Sequence, residues 1–378
     1  VRVLVKDIGG GFGAKGMVSE EEVIVGQLAR LIGRPVRWVE SRTENLSAYV
    51  HGRAQAQTVT IGGTRDGRVT HYRLDVVQDC GAYPKWGAFL PEFTRQLASG
   101  VYDIANLEFS AVSVATNTAP TCAYRGAGRP EATAAIERAM DLFAAEVGMD
   151  VADVRRVNLL ASEAFPYTTP TGTSMDSGDY EGSLDRALAA VDYAGLRAEQ
   201  KRRREAGDPV QMGIGVATYV EITGFGGSEY GEVRLRSDGT VLASTGATPI
   251  GTGHHTTWAM IVADRLGVPL DSIEVFHGDT ESIPSGSTTG GSRSVQIAGS
   301  AMADASEKLV ELARDAAADL LEAAPGDVVL DRERGAFHVA GTPAVARLWA
   351  EIATAADEEL AGLSDHSQNG ATFPFGTH

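Results

Sequence analysis

Four glycine- and hydroxyl-rich turns constrain this chain more than any other feature: GGGFGAKG from Gly9 to Gly16, APTCAYRGAGRPEA, PIGTGHHTTWAMIVADRLG and SGSTTGGSRSVQIAGSA. Each places Gly, Ser or Thr at a strand end or just before a helix. There the unpaired backbone N–H groups and the positive end of the helix dipole favour an anion, and glycine lets a ligand approach the backbone closely. Ordinary N-capping accounts for any one of them taken singly. Four in one chain point instead to a phosphorylated ligand. The chain carries 50 acidic against 33 basic residues, a formal net charge of -17, so such a ligand would be held by backbone amides rather than by lysines.

The first turn contains G-x-G-x-x-G at Gly11, Gly13 and Gly16. A strand-like VRVLV precedes it, a helical SEEEVIVGQLARLIG follows, and a second strand, PVRWVE, ends on Glu40. A dinucleotide-binding unit has this order, with an acidic residue after the glycines for a ribose hydroxyl. Two observations oppose that reading. Val1, Val3 and Val5 alternate with Arg2 and Lys6, the pattern of a half-exposed strand, whereas a central parallel strand is apolar on both faces. No second βαβ unit follows either; AQAQTVTIGG and TRDGRVTHYRLDVVQD read as an alternating meander turned at Asp66-Gly67. An NAD-dependent dehydrogenase remains an alternative, and a plain glycine turn remains another.

At 378 residues, 43% hydrophobic and 22% charged, the chain can bury large cores. Nothing in it supplies the basic footprint of a nucleic-acid binder, since the one run, KRRRE at Lys201–Glu205, reads as a solvated helix tail. Cys80 and Cys122 make neither a disulfide framework nor a C-x-x-C site. A reducing, cytoplasmic setting is expected, without a membrane span or a signal peptide. The chain opens inside a strand without an initiating Met and stops at ATFPFGTH, so it is expected to be a piece of a longer polypeptide.

Ser19 and Glu22 form a capping box for a first helix that ends at Gly33, and Pro130 opens a second. A third is expected from about Ser183 to Glu205. EAGDPVQMG reads as a linker, giving expected domains 1–207 and 208–378. The second domain reads strand GIGVATYVEI, hairpin EVRLRSDGTVLAS, helix, strand SIEVFHGD, then an Ala-rich helix from about Arg293 to Ala324. Both halves are mixed α/β.

Other chemical signatures are absent: no G-x-S-x-G elbow, no Walker lysine loop, no H-E-x-x-H helix. Adjacent His254 and His255 fall on different faces of a helix and read as cap or packing residues. Asp79, Glu131, Glu221 and Asp279 are candidate acids or bases that spacing pairs with nothing.

Taken together, GGGFGAK, TCAYRGAGRPEA, IGTGHHTTWAMIVADRLGVPLDSIEVFHGDT and STTGGSRSVQIAG resemble, in order and spacing, the large molybdenum subunit of the xanthine dehydrogenase, aldehyde oxidase and carbon-monoxide dehydrogenase family. The likeness covers nearly the whole chain. It implies two elongated α/β domains with a molybdenum-pterin cofactor between them, in bacteria usually the cytosine dinucleotide form. No protein side chain ligates the metal. The resemblance places Phe12, Gly13 and Arg125 at the molybdenum site, with Gly291 and Ser292 approaching from the other side. Gly11, Gly251, Thr252, Gly253, Thr256, Arg293 and Ser294 complete the expected cofactor contacts.

The implied activity is oxidative hydroxylation of an aldehyde or N-heteroaromatic compound, with oxygen from water. Electrons would pass to [2Fe-2S] clusters and FAD on a small and a medium subunit, in a dimer of heterotrimers. Departures bear on the substrate. Gly16 and Ala127 stand where purine hydroxylases carry Glu and an aromatic residue, so a purine is disfavoured. Gly126 stands where copper-containing carbon-monoxide dehydrogenases carry Cys, which leaves a carbon-monoxide dehydrogenase-like subunit as the alternative. Thr252 replaces the Gln usual in G-Q-G. The family's catalytic Glu is expected beyond residue 378, so the piece alone is expected to be inactive, and a non-catalytic cofactor-binding fragment is a further alternative.

Overall fold

The computed structural model describes residues 1–224, 226–287, 289–368 and 370–378. Its elements, in chain order, are α1 (Glu20–Ile32), α2 (Arg42–Ala48), β1 (Gln55–Gly63), β2 (Val69–Asp79), α3 (Leu90–Gln96), β3 (Asn106–Val114), α4 (Arg129–Val147), α5 (Val151–Asn158), β4 (Tyr167–Thr168), β5 (Ser174–Met175), α6 (Tyr180–Ala190), α7 (Tyr193–Glu205), β6 (Thr218–Val220), β7 (Ser228–Leu235), β8 (Val241–Thr245), α8 (His254–Leu266), β9 (Ile273–Phe276), α9 (Gly299–Leu321), β10 (Val328–Asp331), β11 (Ala336–Val339), β12 (Ala346–Leu348), α10 (Trp349–Ala355), β13 (Ala361–Ser367) and β14 (Phe375–Thr377). The class is mixed α/β, as the alternation of strand and helix patterns predicts.

Backbone contacts sort the chain into two compact units, Phe12–Ile222 with Thr372–His378, and Val1–Gly11 with Thr223–Ala371. The chain therefore changes unit at Gly11/Phe12, inside the first glycine turn. Contact units are a different quantity from cofactor-binding domains, whose expected limit at 207/208 rests on the linker-like EAGDPVQMG.

In the unit of Phe12–Ile222, β1 and β2 form the expected hairpin, with Thr58 opposite Asp75, and β3 joins β2 in parallel. The α4 helix covers this sheet through Ile136, Met140 and Phe143, which are buried with Tyr72, Leu74 and Val76 of β2. Gly63 has no room for a side chain, because a Cβ there would lie 2.7 Å from the Phe143 ring. Beneath α4, Arg155 is fully buried and donates to Glu137 at 2.8 Å and Asp141 at 2.9 Å, while the Tyr102 hydroxyl donates to Glu137 at 2.5 Å. Burial pushes the Glu137 carboxyl up and Arg155 opposes the shift.

Several local expectations hold in detail. Ser19 and Glu22 make the capping box of α1, and Gly33 ends the helix in the left-handed region at φ 62°. Pro130 lies in the first turn of α4. The expected helix from Ser183 to Glu205 is instead two helices, because Asp192 takes φ 49° and its carboxylate accepts from Gly195 N–H to cap α7 afresh. The strands expected at VRVLV and PVRWVE are absent among the described residues. The first makes only a bridge from Leu4 to Asp279, with Val5 N–H donating to Gly278 O. The second has no ladder partner, and α1 buries no residue at all. The first glycine turn is consequently not the crest of a βαβ unit.

In the unit of Thr223–Ala371, the sheet order is β13-β7-β8-β9, and α9 lies across it. The packing is close because glycines face the helix: a Cβ on Gly231 would lie 2.7 Å from the Ala301 carbonyl carbon, and one on Gly362 would lie 1.9 Å from Ala305 O. A π-turn at Ser294–Ala298 leads into α9, so the helix expected from about Arg293 to Ala324 is not α at its start, and it ends at Leu321, where Glu322 takes φ 50°. Trp258 of α8 donates its indole N–H to Ser294 O at 3.0 Å and pins that start. The strand expected at GIGVATYVEI is reduced to β6, which lies with its antiparallel partner β14 in the unit of Phe12–Ile222 and Thr372–His378.

Candidate functional site

Three segments of the Phe12–Ile222 unit meet at the AYRGAGR turn. Phe12 sits at φ 54° with its ring exposed, and its carbonyl accepts the Arg125 N–H at 2.8 Å. Gly13 follows at φ 105°, where a Cβ would lie 2.2 Å from Ala123 O. The two loops therefore touch backbone to backbone. Cys122 is buried against Gly13 O, and burial pushes its thiol up.

Sequence reasoning did not single out Arg53. It takes φ 62°, donates from Nη1 to Tyr124 O at 2.9 Å and from Nη2 to Arg125 O, and stacks its guanidinium 5.0 Å from the Tyr124 ring centroid. Glu131, 8% exposed, holds the same Nη1 from behind at 3.2 Å. Beyond the turn, Gly126 at φ 98° and Gly128 at φ 86° flank Ala127 at φ 46°. A Cβ on Gly126 would lie 2.3 Å from the Pro130 ring.

Against this fixed backbone, the Arg125 side chain is exposed and makes no hydrogen bond or ion pair among the described residues. Arg129, by contrast, is buried and donates twice to one Glu221 oxygen, at 2.9 and 2.6 Å. The other candidate acids are also engaged. Asp79 accepts from Gly81 N–H, Thr116 and Thr118, which lowers its carboxyl, and Asp279 is lowered by its hydrogen bonds to Arg2.

The Thr223–Ala371 unit presents the remaining expected residues. Gly251 and Gly253 take φ 87° and 77° with nothing within 4 Å of where a Cβ would stand. Gly253 caps α8 without any side-chain hydrogen bond, so the first N–H groups of α8, including that of exposed Thr256, have no side-chain acceptor among the described residues. Thr252 bonds His254 Nδ1 at 2.9 Å, and His254 stacks on Trp258. His255, read as a cap or packing residue, meets His277 Nε2 to Nε2 at 3.1 Å. Gly11 lies against Ile250.

In the fourth turn, Gly291 and Ser292 take φ 65° and 54°, and Ser292 O accepts from Gly224 N–H. Arg293 is buried and turned inward, donating to Ser287 Oγ and, at 3.0 Å, to Ser228 O. Ser294 reaches Thr289 Oγ1 at 3.3 Å; Thr288 of the same motif lies outside the described residues. Glu229, only 2% exposed, accepts from the Ser287 and Tyr230 N–H groups, and burial lifts its carboxyl.

Of the six described non-glycine residues with positive φ, Phe12, Ala127 and Ser292 lie in these turns and Arg53 against one of them, while Asp192 and Glu322 cap helices. Such strain persists only where surroundings over-determine it, and it concentrates at ligand sites.

Comparison with known proteins agrees with the motifs. A family model for the molybdopterin cofactor-binding domain matches residues 1–159, and a second of the same description matches 186–378. The chain is 38% identical, over its whole length, to the carbon monoxide dehydrogenase large chain of Hydrogenophaga pseudoflava. It belongs to the molybdenum hydroxylase family. Within that family it is also 34% identical to the 6-hydroxypseudooxynicotine dehydrogenase complex subunit gamma of Paenarthrobacter nicotinovorans, again over 100% of this chain. The crystal structure of quinoline 2-oxidoreductase from Pseudomonas putida 86 superposes with a TM-score of 0.92 at 30% identity and full coverage of this chain. The chain spans about half of each of these relatives, 50%, 49% and 50% of their lengths.

Proposed function

We propose that the protein is the large, cofactor-holding subunit of a molybdenum hydroxylase that oxidises an aldehyde or an N-heteroaromatic compound with oxygen drawn from water. The observation that carries this reading is Arg125: its backbone is fixed by Phe12 and Arg53 while its guanidinium has no hydrogen bond or ion pair among the described residues. A planar cation on an immobile backbone suits a position where negative charge builds on oxygen, because it costs no reorganisation as the reaction proceeds.

The residues present fit the implied cofactor. Gly251 and Gly253 offer bare backbone, and the α8 start offers N–H groups without side-chain acceptors, which is what a pyrophosphate needs. Gly11, Phe12, Gly13, Thr252, Thr256, Gly291, Ser292 and Ser294 complete the proposed contacts, with the cytosine dinucleotide form expected. Arg293 would act by holding its own turn, since it donates inward. A bound molybdenum-pterin group supplies the oxygen transfer and the two-electron oxidation; the chain's part is to bind it, orient it and balance its charge. Proposed cofactor domains are 1–207 and 208–378. Electrons would leave to [2Fe-2S] and FAD subunits in a cytoplasmic dimer of heterotrimers. No described helix is long and apolar enough to cross a membrane.

A carbon-monoxide dehydrogenase-like reading is favoured by the resemblance to such a large chain. Gly126 argues against a copper-binding thiolate at this position, because a side chain there meets both a positive φ and the Pro130 ring. The test is dye reduction by the full-length complex. Turnover with an aldehyde or N-heteroaromatic substrate, with label from heavy-oxygen water in the product, is expected. Carbon-monoxide-dependent reduction with copper in the protein would overturn the substrate class.

A further inference from the structure

We infer that Arg53 is a positioning residue for Arg125, a clamp that holds the carbonyls of Tyr124 and Arg125 so that the Arg125 guanidinium is presented at a fixed height. The inference rests on the proposed role of Arg125.

The geometry is specific to a planar fork. One guanidinium nitrogen of Arg53 reaches Tyr124 O at 2.9 Å and the other reaches Arg125 O, two successive carbonyls that point the same way. Successive carbonyls alternate in a strand but align in a helix or a turn, and here the turn is tight: Ala127 N–H donates back to Tyr124 O at 2.7 Å. Lysine, a single ammonium on a flexible stem, could serve one of the two carbonyls but not both in plane.

Arg53 is itself held from three sides. Glu131 binds Nη1, and Gln57 in turn donates to Glu131 O at 3.3 Å. The Tyr124 ring lies under the guanidinium. Preceding Arg53, Gly52 has a would-be Cβ 2.4 Å from Tyr124 Cβ, while His51 N–H donates to Pro120 O at 2.9 Å and His51 O accepts from Cys122 N–H at 2.8 Å. The segment His51–Arg53 thus runs as a short parallel strap along Pro120–Arg125, and the positive φ at Arg53 turns its side chain across the end of that strap. Strain at Arg53 is compensated by four polar contacts on one side chain, the pattern expected where a backbone must be fixed rather than merely packed.

The test uses the full-length protein with Arg53→Met, Arg53→Lys and Glu131→Gln, and two readouts. The first is amide hydrogen exchange of the apo-protein, which needs no cofactor. Arg53→Met should speed exchange at the Arg125 and Ala127 amides by roughly tenfold or more, with protection in α4 and β2 unchanged, and Arg53→Lys should fall between. The second is turnover in a double-mutant cycle with Arg125→Ala. Arg53→Met should lower kcat by roughly ten- to a hundredfold in the wild-type background and have little further effect when Arg125 is already gone. Unchanged exchange at Arg125 would overturn the clamp. A kcat loss that persists in the Arg125→Ala background would overturn its action through Arg125. Faster exchange in Arg53→Met, together with a wild-type protein that proves to lack molybdenum, would leave the clamp standing and sink the proposed function instead.

Discussion

Arg125→Lys in the full-length protein is expected to lower kcat by about two to three orders of magnitude, the effect of losing one donor aimed at a developing oxyanion, while its molybdenum content stays near the wild-type value. The split follows from where Arg125 is fixed. Its N–H bonds Phe12 O and its carbonyl is held by Arg53, so the backbone contacts survive the substitution. What is lost is the planar fork that reaches two oxygens at once. Metal analysis beside steady-state turnover checks it. Normal turnover would show that the unengaged guanidinium has no part in the chemistry, and an equal fall in molybdenum and turnover would make Arg125 a binding residue.

The second large effect is expected at Gly13. A Cβ added there would lie 2.2 Å from Ala123 O and 2.7 Å from Ala123 C, both backbone atoms that cannot rotate away, and φ 105° is a region that alanine rarely adopts. The backbone strain alone costs about 1–3 kcal/mol, and relief of the clash must separate the two loops. Gly13→Ala should therefore break the hydrogen bond from Arg125 to Phe12 and reduce cofactor content and turnover together. Gly26, in the middle of α1 with nothing within 4 Å, serves as the control: Gly26→Ala should leave both unchanged. Retention of cofactor by Gly13→Ala, measured by metal and pterin content, would show that contact between these loops is dispensable.

How much of this was legible in the sequence depended on how local the physics was. The capping box of α1, the Pro130 helix start and the Asp66-Gly67 hairpin are set by residues within a few positions of one another, and all were readable. The break at Asp192 was missed because its cap overrides a continuous helical pattern. VRVLV and PVRWVE have strand-like residues but no continuous ladder to join, and strand propensity describes a surface rather than a partner. At the site, the motifs gave the residues that line the turns, whereas Arg53 and the His255–His277 pair act across 71 or more residues and 22 residues of chain. No spacing rule reaches such contacts. The inward turn of Arg293 was hidden for the same reason, since its partner Ser228 is 65 residues away.

The central claim, that these turns hold a molybdenum-pterin cofactor, is tested most directly by the content of the full-length protein as purified. Molybdenum and pterin should be present in equal amounts, the pterin detected as its fluorescent oxidation product, with cytidine monophosphate released on acid hydrolysis. Retained NAD with neither molybdenum nor pterin would contradict the account.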